Sequence, residues 1–327
     1  MQIIVDAFGG DHAPLEILRG CALAVCELGV EILLTGNEKE IIRCAAENEI
    51  SLASMQIEAA PDIMLMTDNP MDILKSKNDT SLAVGLKALA EGRGAAFVSA
   101  GSTGALVIGA TFIAKRIRGI KRAAIGSVMP TNAGPTMLID MGANVDSTAE
   151  HLNQFAVMGD IYMKKIMDFA SPRIGLANIG TEAAKGGKLQ LEAYDLMKAA
   201  DYNFIGNIEA RDIPFGCCEV VVADGFTGNI ILKMYEGVAG AMMANLKTIY
   251  KKNLFTKMSA LMVKSGLSSF KHKMDYTEFG GAALMGINGT VIKAHGSSNA
   301  NAIKNAIRQA KIYTEQGVVQ AIKESLN

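Results

Sequence analysis

The sequence predicts an α/β protein, because short β-rich runs alternate with helical patterns and glycine-rich junctions separate the two. The composition agrees: half of the 327 residues are hydrophobic, 20% are charged and 33 are glycine, as is typical of a compact folded chain. The clearest strand patterns are Ile3–Val5, Ala96–Ser99, Ile174–Ala177 and Val220–Ala223. The clearest helical patterns are Leu15–Leu28, Ala105–Arg116, Leu189–Ala199 and Ala300–Thr314. We therefore expect one large α/β domain over residues 1–327 with an active-site cleft.

Charge and cysteine usage exclude several classes of protein. A formal net charge of −1 predicts no general affinity for nucleic acid. The five cysteines form no CxxC pair and no Cys/His ligand spacing, so neither a zinc site nor a disulfide framework is indicated. The amino terminus shows no signal-peptide pattern, and no apolar run reaches the ~18 residues of a spanning helix. A protein of the cytoplasm is expected, with only peripheral membrane contact.

Five junctions between strand and helix patterns are rich in glycine and small polar residues. They are Asp6–His12, Ser99–Gly104, Gly180–Gly187, Asp224–Asn229 and His295–Asn299. In an open α/β sheet such junctions gather along the carboxyl edge, where ligands bind. Neither the Ser99 loop nor the His295 loop matches a dinucleotide or nucleoside triphosphate motif.

The Ser99–Gly104 loop offers backbone amides and two hydroxyls, Ser102 and Thr103, in front of a helix. These are the parts of an anion site, but serine and threonine are also standard helix caps. The same two interpretations stay open for His295–Asn299. His12 and His295 lie in glycine-rich junctions, where imidazoles are suited to exchange protons near neutral pH.

Three further polar positions admit a catalytic and a structural interpretation. Lys185 follows a strand pattern among small residues, so it is placed either to approach an oxyanion or phosphate or to remain solvated. Asn229 is suited to donate its amide to a carbonyl oxygen or to cap a helix from Ile230. Asp140 and Asp146 suggest a hard metal ion only weakly, and loop structure is the better interpretation.

Eight ordered segments make the sequence resemble the phosphate acyltransferase family of bacterial phospholipid synthesis. They are VDAFGGDHAP at Val5, SAGSTGA at Ser99, DMGANVD at Asp140, HLNQFAVMG at His151, IGLANIGTEAAKGG at Ile174, FIGNIEARD at Phe204, VVADGFTGNIILK at Val221 and VIKAHGSSN at Val291. Eight matches in order are specific, whereas one alone is weak. Ser102 stands where the family has asparagine, Ala210 replaces a common glycine, and the stretch around Asn78 is less basic.

The resemblance implies a three-layer α/β/α sandwich like that of phosphate acetyltransferases and the isocitrate and isopropylmalate dehydrogenases, assembled as a homodimer. It also implies transfer of a long acyl chain from acyl-acyl-carrier-protein to inorganic phosphate. No cofactor and no metal are expected, because the sequence has no nucleotide motif and only a weak metal-ligand signal. Lys185 and Asn229 match catalytic positions of the family, and His12 or His295 would protonate the leaving thiolate. The expected phosphate ligands are Gly101, Ser102, Thr103, Gly104, Ser297 and Ser298. The alternatives are a phosphate acetyltransferase-like enzyme using acyl-CoA, a decarboxylating dehydrogenase, and a non-enzymatic scaffold at the membrane.

The segment 237–274 is strongly basic, with seven lysines and no acidic residue, so its charge is +7 against −8 for the rest of the chain. At 100° per residue, five apolar side chains share one sector of a helix and two lysines lie beside it. The apolar set is Leu254, Phe255, Met258, Leu261 and Met262, and the lysines are Lys257 and Lys264. This pattern suits a helix lying on an anionic membrane, near a downstream membrane glycerol-3-phosphate acyltransferase. A helix packed in the core or in a dimer interface fits the same pattern.

Overall fold

The computed structural model describes residues 1–263, residue 266 and residues 280–326. Its strands are β1 Gln2–Asp6, β2 Glu31–Gly36, β3 Met55–Ala59, β4 Ala96–Ser99, β5 Ala124–Thr131, β6 Gly134–Ile139, β7 Ile174–Asn178, β8 Phe204–Glu209, β9 Val220–Val222, β10 Ala282–Met285 and β11 Thr290–Lys293. Its α-helices are α1 Leu15–Leu28, α2 Glu38–Glu47, α3 Ser81–Ala90, α4 Thr103–Gly109, α5 Ala149–Ile166, α6 Lys188–Lys198, α7 Gly225–Lys251, α8 Leu254–Met262, α9 Ala300–Glu315 and α10 Val318–Glu324.

Alternate residues of the strands pack into two separate hydrophobic cores, one on each face of the sheet. Ile3 and Val5 of β1 pack into a core with α1, α5 and α9, whereas Ile4 packs into a core with α3 and α4. Because successive side chains of a strand point to opposite faces, a strand buried on both faces reads as a continuous apolar run. The predicted three-layer α/β/α sandwich is confirmed.

The strands of the described chain form one sheet in the order β3-β2-β1-β4-β11-β10-β5-β6-β9-β7-β8. Neighbours pair in parallel except for β11–β10, β10–β5 and β5–β6. Three antiparallel pairings in succession reverse the strand direction. The four strands β6, β9, β7 and β8 therefore run opposite to β1, β4 and β11. The expectation of one shared carboxyl edge is therefore wrong. Residues that follow strands of both groups nevertheless line one cavity, including His295 after β11 and Asn229 after β9.

The predicted strands and helices are present. Leu15–Leu28 and Ala96–Ser99 have the predicted bounds, and the others have shifted ends. The pattern at Ala105–Arg116 forms two pieces, α4 and a π-helical segment Ala110–Lys115. The helix begins earlier than expected because the Ser102 side chain accepts a hydrogen bond from Ala105 N and so caps the first turn.

The predicted basic segment 237–274 begins inside α7, a helix of 27 residues, and continues into α8. Of the α7 residues only Gly225 and Gly228 are buried, so most of this helix projects from the body of the protein. Lys264 and residues 267–274 lie outside the described part of the chain, as do the side chains of Leu254 and Leu261. In the described part of α8, Phe255 and Met262 are each 85% exposed and Met258 is 66% exposed.

Candidate active site

A cavity of about 510 Å³ is lined by residues from both groups of strands and from the segments that follow them. The polar residues of its lining are Asp11, Thr103, Ser127, Asn229, Lys233, Glu236, Lys293, His295 and Ser298. Its apolar lining includes Met66, Ile125, Met141, Leu232, Ala282 and Ala302. A cavity with an apolar wall and a few convergent polar groups is the usual form of a small-molecule site.

The Ser99–Gly104 loop reaches this cavity through Thr103, the first residue of α4. Gly101 N donates to Ser99 Oγ over 3.0 Å, and Ser99 Oγ donates to Asp6 Oδ2 over 2.7 Å. Ser102 is buried and caps α4. Neither Ser102 nor Gly101 lines the cavity, so the predicted cap is present but the predicted contact is not seen for these two residues. Gly104 packs against Pro70 instead of lining the cavity.

The His295 loop lines the cavity with His295 and the buried Ser298. His295 Nδ1 lies 2.8 Å from Ser297 Oγ and accepts a hydrogen bond from Ser297 N over 3.2 Å. Because Nδ1 accepts from the backbone amide, a neutral ring carries its proton on Nε2. Ser297 thus orients His295 and is not itself part of the cavity wall.

Asn229 reaches the cavity from α7, because the start of that helix is pressed against the Asp140 loop. A Cβ at Gly228 would lie 1.8 Å from the Asp140 carbonyl oxygen, so only glycine permits this approach. The expected helix start at Ile230 is wrong. Asp224 caps α7 by accepting from Thr227 N over 2.9 Å, which places Asn229 inside the helix.

The Asp140 carboxylate organises the loop on which α7 rests. Oδ1 accepts from Ile125 N and Ala143 N over 3.0 and 3.1 Å, and Oδ2 accepts from Asn144 N and Nδ2 over 2.8 and 2.9 Å. Burial raises the pKa of Asp140, although these hydrogen bonds oppose the shift. Asp140 therefore holds this loop in place through hydrogen bonds, which is the structural role that the sequence analysis favoured over metal binding.

Two predicted catalytic residues do not line the cavity. Lys185 is exposed on the Gly180–Gly187 junction, where its carbonyl oxygen accepts from Asn178 Nδ2 over 3.1 Å. His12 is also exposed, and its neighbour Asp11 lines the cavity in its place. The catalytic roles of Lys185 and His12 stay predictions.

The sequence analysis did not identify two lysines that line the cavity, Lys233 and Lys293. Lys233 pairs with Glu236 at 2.9 Å on the first turns of α7. Lys293 ends β11 and is only 9% exposed. A lysine within the apolar run VIKA was the available signal for Lys293, because a cation in a strand buried on both faces needs a partner.

The fold is shared with a phosphotransacetylase of known structure. A phosphotransacetylase from Streptococcus pyogenes has this fold, with a TM-score of 0.64 and 18% identity, covering 98% of this chain and 94% of that one. This likeness concerns the fold alone.

The chain matches the family described as fatty acid synthesis protein, FA_synthesis, over residues 1–321. A phosphate acyltransferase from Caldanaerobacter subterraneus subsp. tengcongensis is 45% identical over 327 residues, covering 100% of this chain and 97% of that protein. A phosphate acyltransferase from Lysinibacillus sphaericus is 45% identical over 328 residues, covering 100% and 98%. The chain belongs to the phosphate acyltransferase family and is an acyl-transferring enzyme, so the alternative of a non-enzymatic scaffold is wrong. None of the helices described in the structure has the length and apolar character needed to cross a membrane.

Proposed function

We propose that this enzyme transfers a long-chain acyl group from acyl-acyl-carrier-protein to inorganic phosphate and so makes an acyl phosphate for phospholipid synthesis. The family supports acyl transfer and the involvement of phosphate. The observation that carries the proposal is the cavity itself, in which the Ser99 and His295 loops meet Asn229 beside an apolar wall. The loops suit an anion, and the apolar wall suits an acyl chain.

In the proposed mechanism, bound phosphate attacks the thioester carbonyl carbon directly. Phosphate is largely anionic at neutral pH, so the protein chiefly positions it and stabilises the oxyanion that develops. Thr103 and Ser298 hold phosphate, and the Asn229 amide donates to the oxyanion. His295, with a proton on Nε2 when neutral, is placed to protonate the departing thiolate.

The product assay that tests this function uses the purified protein, a long-chain acyl-carrier-protein thioester and inorganic phosphate. We expect a hydroxylamine-reactive acyl phosphate and free thiol in equal amounts, with no nucleotide or redox cofactor added. Parallel reactions with acyl-CoA and with acetyl-CoA distinguish the acyl-CoA alternative, because a preference for acetyl-CoA favours a phosphate acetyltransferase-like enzyme. No acyl phosphate from any long-chain donor would overturn the proposal.

We also propose that α8 rests on an anionic membrane surface, at which the product reaches a glycerol-3-phosphate acyltransferase. Phe255, Met258 and Met262 are exposed on this helix, and the exposed Lys257 lies among them. Such a helix gains apolar burial in the interface and attraction to anionic lipid. The enzyme would then be cytoplasmic and peripherally bound to the membrane.

A homodimer is the proposed assembly, supported by a second apolar surface on α7. Its members recur every four residues and are all exposed: Phe226, Ile230, Met234, Val238 and Met242. A repeat of four residues keeps side chains on one slowly turning face of a helix. Because a contiguous apolar face on a projecting helix usually marks an interaction site, a second copy of the chain is its proposed partner. Analytical ultracentrifugation of the purified protein should show a dimer, and Met234→Glu should shift it toward monomer.

A further inference from the structure

Three adjacent parallel strands place Asp6, Ser99 and Lys293 in one row at the edge of the cavity. Val5 of β1 pairs with Val98 of β4, so the next residues, Asp6 and Ser99, also lie side by side. Ser99 in turn pairs with Lys293 of β11. Side chains at paired positions of neighbouring strands point to the same face of a sheet. The row therefore combines a carboxylate, a hydroxyl and an ammonium at one level of the sheet.

Hydrogen bonds connect this row to the Ser99–Gly104 loop. Ser99 Oγ donates to Asp6 Oδ2 over 2.7 Å and accepts from Gly101 N over 3.0 Å. Phe8 N donates to Asp6 Oδ1 over 3.2 Å. A Cβ at Gly9 would lie 2.6 Å from both Asp6 Oδ2 and Gly101 N, so the two loops are in close contact. The loop cannot shift without disturbing the buried carboxylate.

Burial of the Lys293 ammonium in the cavity wall costs free energy, because the charge loses contact with water. Burial lowers the pKa of Lys293 to about 8. The positive charge of Lys233 lowers this pKa further, whereas the negative charges of Asp6 and Asp11 favour the protonated form. Burial likewise raises the pKa of Asp6. The only hydrogen bond that the structure gives Lys293 Nζ within the described residues goes to the Ala294 carbonyl oxygen. A buried cation that faces a cavity is energetically well suited to receive an anion.

We propose that Lys293 is the residue that pairs with inorganic phosphate in the cavity, held at the Ser99 loop by the Asp6–Ser99–Lys293 row. This inference rests on the proposed function and assigns to Lys293 the phosphate contact that sequence reasoning gave to Lys185. The ammonium keeps its proton throughout the reaction. An oxygen of hydrogen phosphate forms the bond to the carbonyl carbon, and the carbon–sulfur bond breaks. His295 gives its Nε2 proton to the thiolate, and the proton of hydrogen phosphate replaces it on His295.

Phosphate binding tests this assignment without any acyl donor, so its outcome is independent of the transfer reaction. Isothermal titration with inorganic phosphate, and the rise in melting temperature that phosphate produces, are compared for the wild type and Lys293→Gln. We expect Lys293→Gln to weaken phosphate binding about ten-fold or more, because it removes a charge-assisted contact. Lys293→Arg should recover part of the affinity. Lys304→Gln, which removes a partly buried lysine paired with Glu27 on the surface, should bind phosphate as the wild type does.

The variant Lys293→Gln leaves Asp6 buried without its nearby cation and is therefore accompanied by Asp6→Asn/Lys293→Gln, which removes both charges. If the single variant does not fold, the double variant carries the same test. Equal phosphate affinity in a folded Lys293 variant and the wild type would overturn the assignment, and so would a wild type that binds no phosphate. A wild type that binds phosphate through Lys293 but makes no acyl phosphate would instead refute the proposed function.

The pH dependence of phosphate binding separates a direct contact from a structural effect. The ionisable groups around Lys293 are Asp6, Asp11, Lys233, Glu236 and His295. All five are unchanged in the single variants Lys293→Gln and Lys293→Arg. Wild-type affinity should fall as the pH rises above about 8, where Lys293 loses its proton. Lys293→Gln should lack that fall, and Lys293→Arg should move it to higher pH because arginine stays protonated. A fall of the same size in Lys293→Gln would contradict a contact between Lys293 and phosphate.

Discussion

The two walls of the cavity are stabilised in different ways. The sheet wall around Lys293 is buried and linked by hydrogen bonds within the chain. The opposite wall is the first part of α7, which rests on the body through Gly225 and Gly228 and exposes an apolar surface along its length. The sheet wall is therefore complete within one chain, whereas α7 is expected to need a partner surface. Phosphate recognition should depend on the first wall, and carbonyl activation and assembly on the second.

The largest expected effect comes from the α7 wall and is on catalysis. Asn229→Ala should lower turnover about 100-fold or more, because loss of one oxyanion donor typically has that effect, while phosphate affinity stays unchanged. Steady-state kinetics with acyl-carrier-protein thioester measure the first quantity and titration the second. Asn245→Ala replaces the same residue type at an exposed position of the same helix and should leave turnover near the wild-type value. Near-normal turnover in a folded Asn229→Ala protein would remove Asn229 from the mechanism.

The next prediction concerns the contact between α7 and the Asp140 loop. Gly228→Ala places a Cβ 1.8 Å from the Asp140 carbonyl oxygen, so the helix must shift, at a cost of about 1–3 kcal/mol in the free energy of unfolding. Turnover should fall as well because Asn229 moves with the helix. Gly240→Ala is the matched control, since a Cβ there meets nothing within 4 Å and alanine favours a helix by up to about 1 kcal/mol. Equal urea midpoints for the two variants would show that the close contact is absent.

The smallest effect on the soluble enzyme is expected at α8. Met258→Glu should abolish sedimentation with anionic vesicles while acyl transfer in solution persists, because a carboxylate opposes both apolar burial and attraction to anionic lipid. Ser259→Glu introduces the same charge at the next exposed position and should weaken vesicle binding less. Vesicle binding should also decrease as salt rises. Unchanged sedimentation of Met258→Glu would refute the interfacial helix.

Local patterns predicted the individual elements better than they predicted how the two halves of the sheet meet. The strands ending at Ser99 and at Val222 are apolar runs, and each is followed directly by a glycine-rich junction. Because the run and its junction are adjacent in sequence, a local pattern is enough to predict each strand. The reversal of the sheet depends on β5 and β6, where Pro130 pairs with Pro135. Proline weakens a strand pattern, so this hairpin was not recognised and neither was the reversal.

Site residues divide in the same way. His295, Thr103, Ser298 and Asn229 line the cavity, and they were singled out because glycine and small polar residues surround them in the sequence. Lys293 was missed because its importance comes from β1 and β4, whose residues Asp6 and Ser99 are distant in sequence. An isolated lysine is usually solvated, and only the register of three strands shows that this one is buried beside a carboxylate.

Direct attack by bound phosphate is tested most sharply by incubating the enzyme with long-chain acyl-carrier-protein thioester in the absence of phosphate. A rival nucleophile is Cys217, whose pKa is lowered to about 7 by its hydrogen bond with Cys218, although it does not line the cavity. Direct attack predicts no burst of free thiol and no change in the intact mass of the protein until phosphate is added, when thiol and acyl phosphate appear together. A stoichiometric burst of thiol without phosphate, with the acyl mass added to the protein, would contradict it.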